Sequence, residues 1–152
     1  MNVGVLILGR KRGGFDPEWG AQMIERVNAQ LEAAPFSVFR PSVAIVDDAT
    51  LRAALTECEA AAVDVVVALQ PTMGDGNLSL TLGQCWPRPV VLWATPEKPT
   101  GSMISSCSLV GAHVFAATLR QLGLPFELVY GMPGEAKTAA ELEAALRLAT
   151  AL

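Results

Sequence analysis

The sequence predicts an α/β fold: a doubly wound, three-layer α/β/α domain around a five-stranded, mainly parallel sheet. Three observations predict it. Short β-branched runs at Val3–Leu8, Val63–Leu69 and Val90–Trp93 are apolar without alternation, the pattern of strands buried on both faces. The segments between them carry apolar residues at helical spacing and begin or end in capping residues. Of 152 residues, 51% are apolar and 17% charged, which excludes intrinsic disorder and fits one domain over 1–152.

The elements follow in order. After the first strand, Asp16 is a good N-cap, Pro17 suits the first helical position and Glu18 complements the helix dipole. Trp19, Met23, Val27 and Leu31 then share one helical face, and Pro35 stops the helix. Strand two is ambiguous. Ser37–Arg40 and Val43–Val46 both look extended but Pro41 divides them, so the segment belongs at a sheet edge. A helix from about Asp48 to Ala61 buries Leu51, Leu55 and Cys58, and a short helix spans Leu78–Cys85. A fourth runs from Ser108 to Leu122, with Gly123 as its C-cap and Pro125 beyond. Phe126–Tyr130 is a weaker strand, and the last helix begins at the capping box Thr138-Ala-Ala-Glu141. Five β–α units favour the flavodoxin-like strand order 2-1-3-4-5 over the Rossmann order, with right-handed crossovers.

Eleven basic against fifteen acidic residues give a net charge of -4, so no domain-wide basic footprint for nucleic acid or anionic lipid exists. Cys58, Cys85 and Cys107 contain no C-x-x-C pair, which excludes zinc ribbons and thioredoxin-like chemistry. They read as three reduced thiols. No apolar run reaches the ~18 residues of a membrane span. Met1-Asn2-Val3-Gly4 lacks the basic region of a signal peptide. A cytoplasmic chain without membrane contact is therefore expected.

In such sheets ligands sit outside the carboxyl ends of the strands, where the order reverses. Three loops lie there. Gly9-Arg10-Lys11-Arg12-Gly13-Gly14-Phe15 holds three consecutive cations in an acidic chain. It reads either as a solvated turn or as a contact for a phosphate or for the hydroxyls of a polar substrate. The phosphate fingerprints G-x-G-x-x-G and G-x-x-x-x-G-K-[ST] are absent from it. In the second loop, 70–77, Asp75 either accepts sugar hydroxyls or caps the helix that follows. The third, 94–107, is long for a compact domain, and such loops are functional or disordered. Trp93 before it either stacks on a sugar ring or packs in the core, and Glu97 is its one carboxylate. The single histidine, His113, shares a helix face with Arg120 that reads as solvent side. A serine–histidine–aspartate triad would need it to leave that face. From the residues alone this is a binding domain without a complete active site.

The order of these pieces has a further meaning. Val63-Asp64-Val65-Val66-Val67, then Pro71-Thr72-Met73-Gly74-Asp75-Gly76, then Pro89-Val90-Val91-Leu92-Trp93-Ala94-Thr95-Pro96-Glu97 resemble the N-terminal domain of the L-fucose and L-arabinose isomerase superfamily. Ser108-Leu109-Val110-Gly111-Ala112, Gly123-Leu124-Pro125-Phe126 and Tyr130-Gly131 extend the resemblance over nearly the whole chain. It implies an aldose–ketose isomerase of about three domains, assembled as a homo-oligomer. It also implies a divalent metal, usually manganese, acting as a Lewis acid in the full-length protein while a carboxylate pair moves a proton between C1 and C2. The metal ligands and catalytic carboxylates belong to later domains, and this chain ends at Leu152. No catalytic residue, metal ligand or cofactor is therefore assigned within it.

By position the resemblance places Arg10, Lys11 and Arg12 against a small sugar substrate. It does the same for Thr72 and Met73, for Trp93, Thr95 and Glu97, and for Ser106 and Ser108, often from across a subunit boundary. Two departures leave the sugar unnamed. The second loop lacks the aromatic of fucose isomerases, and His113 comes later than the histidine of arabinose isomerases. The expected function is the substrate-side domain of a fucose isomerase-like protein, not catalytic alone. The alternative is a stand-alone flavodoxin-like binding or sensor module.

Overall fold

The computed structural model describes residues 1–9, 15–101 and 104–151. It contains one five-stranded sheet in the order β2-β1-β3-β4-β5. The strands are β1 (Asn2–Ile7), β2 (Ser37–Phe39), β3 (Val65–Gln70), β4 (Val90–Ala94) and β5 (Phe126–Tyr130), and every pairing is parallel. Helices α1 (Pro17–Glu32), α2 (Asp48–Ala60), α3 (Leu78–Cys85), α4 (Ser108–Gln121) and α5 (Ala136–Thr150) alternate with them. The predicted fold class and strand order are those observed.

The continuous apolar runs resolve into two faces. Leu6, Leu8, Val66, Ala68, Val90 and Leu92 point toward Leu51 and Leu55 of α2, Leu82 of α3 and Phe115 and Leu119 of α4. Their neighbours Val3, Val5, Val65, Val67, Val91 and Trp93 point toward Val27 and Leu31 of α1 and Leu142 and Leu146 of α5. A strand alternates its side chains, so burial on both faces demands apolar residues at every position. The helix distribution follows from the strand order. The chain moves one way across the sheet from β1 to β2, then the other way from β2 to β3. Right-handed crossovers therefore put α1 on one face and α2, α3 and α4 on the other.

Helix starts obey local chemistry. The Asp16 carboxylate accepts the N–H groups of Glu18 and Trp19 at 3.0 and 3.1 Å. Asp47 caps α2 reciprocally: it accepts the Thr50 N–H at 2.9 Å, and its own N–H donates to the Thr50 hydroxyl at 3.0 Å.

Two expectations are corrected. Only Ser37–Phe39 is a strand, and Val43–Val46 is not. Pro41 offers no N–H to a ladder. Beyond it the Ser42 N–H and hydroxyl both bond the Glu57 carboxylate on α2, which draws the chain off the sheet edge. Ile45 is buried among the α2-side core residues. The last helix does not begin at Thr138. It begins at Ala136, with Glu135 at the N-cap position and no side-chain cap. Thr138 lies inside the helix, 2% exposed, packed on Gly131, where a Cβ would meet its hydroxyl at 2.4 Å. Tertiary packing has claimed the side chain that the capping pattern reserved.

Candidate functional site

The strand order reverses between β1 and β3, so the loops leaving them head to opposite faces at the carboxyl end of the sheet, where doubly wound sheets have their ligand crevice. Of the first loop, Arg10, Lys11 and Arg12 lie outside the described residues.

The second loop is drawn tightly onto the sheet end. Gln70 is 1% exposed, and its side-chain oxygen accepts the Gly74 N–H at 2.9 Å. Gly74 in turn presses against β1: a Cβ there would sit 2.2 Å from the Leu8 carbonyl oxygen. Thr72 is buried beneath this turn, while Met73 and Asp75 are half-exposed. The Asp75 carboxylate accepts the Asn77 N–H at 3.0 Å, and its carbonyl accepts the Leu78 N–H at 3.1 Å. That is an Asx-turn leading into α3.

The third loop is organised by one side chain. The Glu97 carboxylate accepts the N–H groups of Ser105, Ser106 and Cys107 at 2.7, 2.9 and 2.6 Å. It also accepts the hydroxyls of Ser105 and Ser106 at 2.5 and 3.1 Å. The Trp19 indole N–H donates to the Pro96 carbonyl at 3.0 Å, which ties α1 to the same loop. The Ser108 hydroxyl donates to the Gln70 carbonyl at 2.5 Å and accepts the Thr95 N–H at 2.8 Å, joining the ends of β3 and β4 to α4.

The structure thus gathers Thr72, Met73, Asp75, Thr95, Glu97, Ser106 and Ser108 at one end of the sheet, but not in equivalent settings. Trp93 is fully buried in the α1–α5 core, its indole N–H 3.4 Å from the Gly131 carbonyl. Thr95, Ser106 and Ser108 are at most 1% exposed and build the wall from behind. Thr95 Oγ1 has no hydrogen-bond partner among the described residues. Met73, Asp75 and Glu97 are the members that reach solvent. Sequence reasoning passed over Gln70 and Ser105. The signals were a polar residue closing an apolar run and the Ser105-Ser106-Cys107-Ser108 run before a helix.

No known family profile matches the chain. Two curated proteins are similar to it: the sulfoquinovose isomerases of Priestia aryabhattai and of Priestia megaterium. Each is 25% identical over 134 residues. The chain is a distant relative of a sugar isomerase. The matched stretch covers 88% of this chain, and the chain spans about 30% of the relatives' length.

Among the described residues no three histidine, cysteine, aspartate or glutamate side chains converge as a metal site would require. His113 and Arg120 both lie on the exposed side of α4, apart from the crevice wall. No helix among the described residues is long and apolar enough to cross a membrane.

The carboxylates predict a pH response. For Glu97, partial burial pushes the pKa up, but the Ser105 hydroxyl and the N–H groups of Ser106, Ser105 and Cys107 outweigh it and hold the group below its ordinary 4.5. Asp16 and Asp47 are held below 3.8, chiefly by the N–H groups of Trp19 and Thr50. Groups with depressed folded values stabilise fully above their ordinary pKa, and the contribution is lost as pH falls through the lowered values. The melting temperature should be level from pH 7 to about 5 and fall below about pH 4. Thermal melts at pH 7, 5 and 3 test this, and a melting temperature unchanged or higher at pH 3 would refute it.

Proposed function

We propose that this chain is the substrate-side, N-terminal domain of an aldose–ketose isomerase-like protein and is not catalytic alone. The observation that carries this is the match to sulfoquinovose isomerase over 134 residues, 88% of the chain. The geometry supports it. The crevice lies where doubly wound sheets bind ligands, and it presents Met73, Asp75 and the Glu97-braced loop to solvent.

In this reading the domain supplies a wall that orients a polyhydroxylated sugar. Arg10 and Arg12 would offer planar forks of donors to it, and Lys11 a point charge. Membership of the fucose and arabinose isomerase superfamily, a cytoplasmic homo-oligomer and a manganese ion held by later domains belong to the same proposal. The proton transfer between C1 and C2 then falls to residues outside this chain.

The test uses the full-length protein with a panel of aldoses, sulfoquinovose first, in deuterated water. Proton NMR should show ketose formation, with deuterium entering at C1 of the ketose and, through the reverse reaction, at C2 of the aldose. A folded full-length protein giving neither with any aldose would return the chain to a binding or sensor module.

A further inference from the structure

We infer that Glu97 is a positioning residue that sets the N-cap of α1 and the tip of the β3–α3 loop through two peptide units of its own loop. The argument rests on the planarity of the peptide group. In a trans peptide the C=O of one residue and the N–H of the next lie in one plane and point in opposite directions. The Ser106 N–H donates to Glu97 at 2.9 Å, and the carbonyl of the same peptide unit, that of Ser105, accepts the Asp16 N–H at 2.9 Å. The next unit repeats the arrangement. The Cys107 N–H donates to Glu97 at 2.6 Å, and the Ser106 carbonyl accepts the Met73 N–H at 2.7 Å.

Two successive peptide planes are therefore clamped from one side by a single carboxylate. From the other side they hold the N-cap of α1 and the tip of the β3–α3 loop. The clamp also holds Cys107 in the left-handed region, at φ 52° and ψ 32°, which a non-glycine residue adopts only when its surroundings impose it. Ser105 closes the assembly: its hydroxyl donates to Glu97 and accepts the Lys98 N–H at 2.8 Å. Lys98 Nζ also reaches the Asp16 carboxylate, 3.4 Å away.

A rotation of either plane would release Glu97 on one side and Asp16 or Met73 on the other. The Glu97 brace, the N-cap of α1 and the tip of the β3–α3 loop therefore open and close as one unit, with Ser106 between Glu97 and Met73. That the unit serves a sugar rests on the proposal above; that it exists does not.

Native-state hydrogen exchange by NMR on the full chain tests the relay without any sugar, so its outcome is independent of the isomerase reading. In the native protein the amides of Asp16, Met73, Ser106 and Cys107 should show protection factors within roughly threefold of one another, as one opening event exposes all four. In Glu97→Gln the amide NH2 faces donors instead of accepting them. All four amides should then lose roughly tenfold or more protection, while the Val66 amide inside the sheet keeps its own. A brace confined to its own loop would leave Asp16 and Met73 protected while Ser106 and Cys107 exchange, and that result overturns the relay. If Glu97→Gln does not fold, the native protein decides, and independent opening of Asp16 or Met73 sinks the idea.

Discussion

Val27→Asp should destabilise the chain by about 3 kcal/mol or more. Val27 is fully buried on the α1 face that packs on the sheet, in one cluster with Val3, Val5 and Leu31. An aspartate there must either stay charged in an apolar layer or take up a proton, and both states are unfavourable against a solvated unfolded chain. The methyl packing is lost as well. For a chain of this size the melting temperature should fall by roughly 6–12 °C. Calorimetry against Ala21→Asp on the exposed face of α1 separates burial from charge. Equal melts for the two variants would mean that α1 packs by another face.

Gly74→Ala should cost about 2–3 kcal/mol, a large effect for one methyl group. The added Cβ would lie 2.2 Å from the Leu8 carbonyl oxygen, far inside contact distance. Leu8 cannot retreat freely, since its N–H is bound to the Leu69 carbonyl at 2.8 Å. Both sides of the clash are backbone, so no rotamer change relieves it. The loop must lift, and the Gly74 N–H bond to Gln70 goes with it. Urea denaturation measures the loss. A midpoint within error of the wild type would show that the second loop does not press on β1.

Much of the fold was legible because its signals are local. Asp16-Pro17-Glu18 marks a helix start through side-chain and dipole chemistry that needs no distant partner. The apolar runs at β1, β3 and β4 announce burial on both faces, and that requires helices above and below. Strand order then follows from connection rules. Where local signals competed with distant partners, the distant partners won. Val43–Val46 has the composition of a strand, yet Glu57 on α2 holds the preceding turn away from the sheet. Thr138-Ala-Ala-Glu141 has the form of a capping box, yet Gly131 takes the threonine.

The candidate site divides in the same way. Its place could be read from the sequence, because the carboxyl ends of strands at a reversal of order are a property of topology. The roles of its residues could not. Trp93 is equally suited to a sugar face or a core, and only its neighbours on α1, α5 and β5 show that it is fully enclosed. In the sequence Glu97 is one carboxylate of a long loop, and only its tertiary setting shows it gathering the Ser105, Ser106 and Cys107 N–H groups. Trp19 meets Pro96 across 77 positions of chain, and Lys98 meets Asp16 across 82. The Asp16 cap of α1 and the apolar pattern of the strands rest on residues within a turn or two of each other, so the sequence by itself determines them. Which polar group finds which is decided by segments far apart in the chain, after the hydrophobic layers have set their distance, and so it belongs to the tertiary structure.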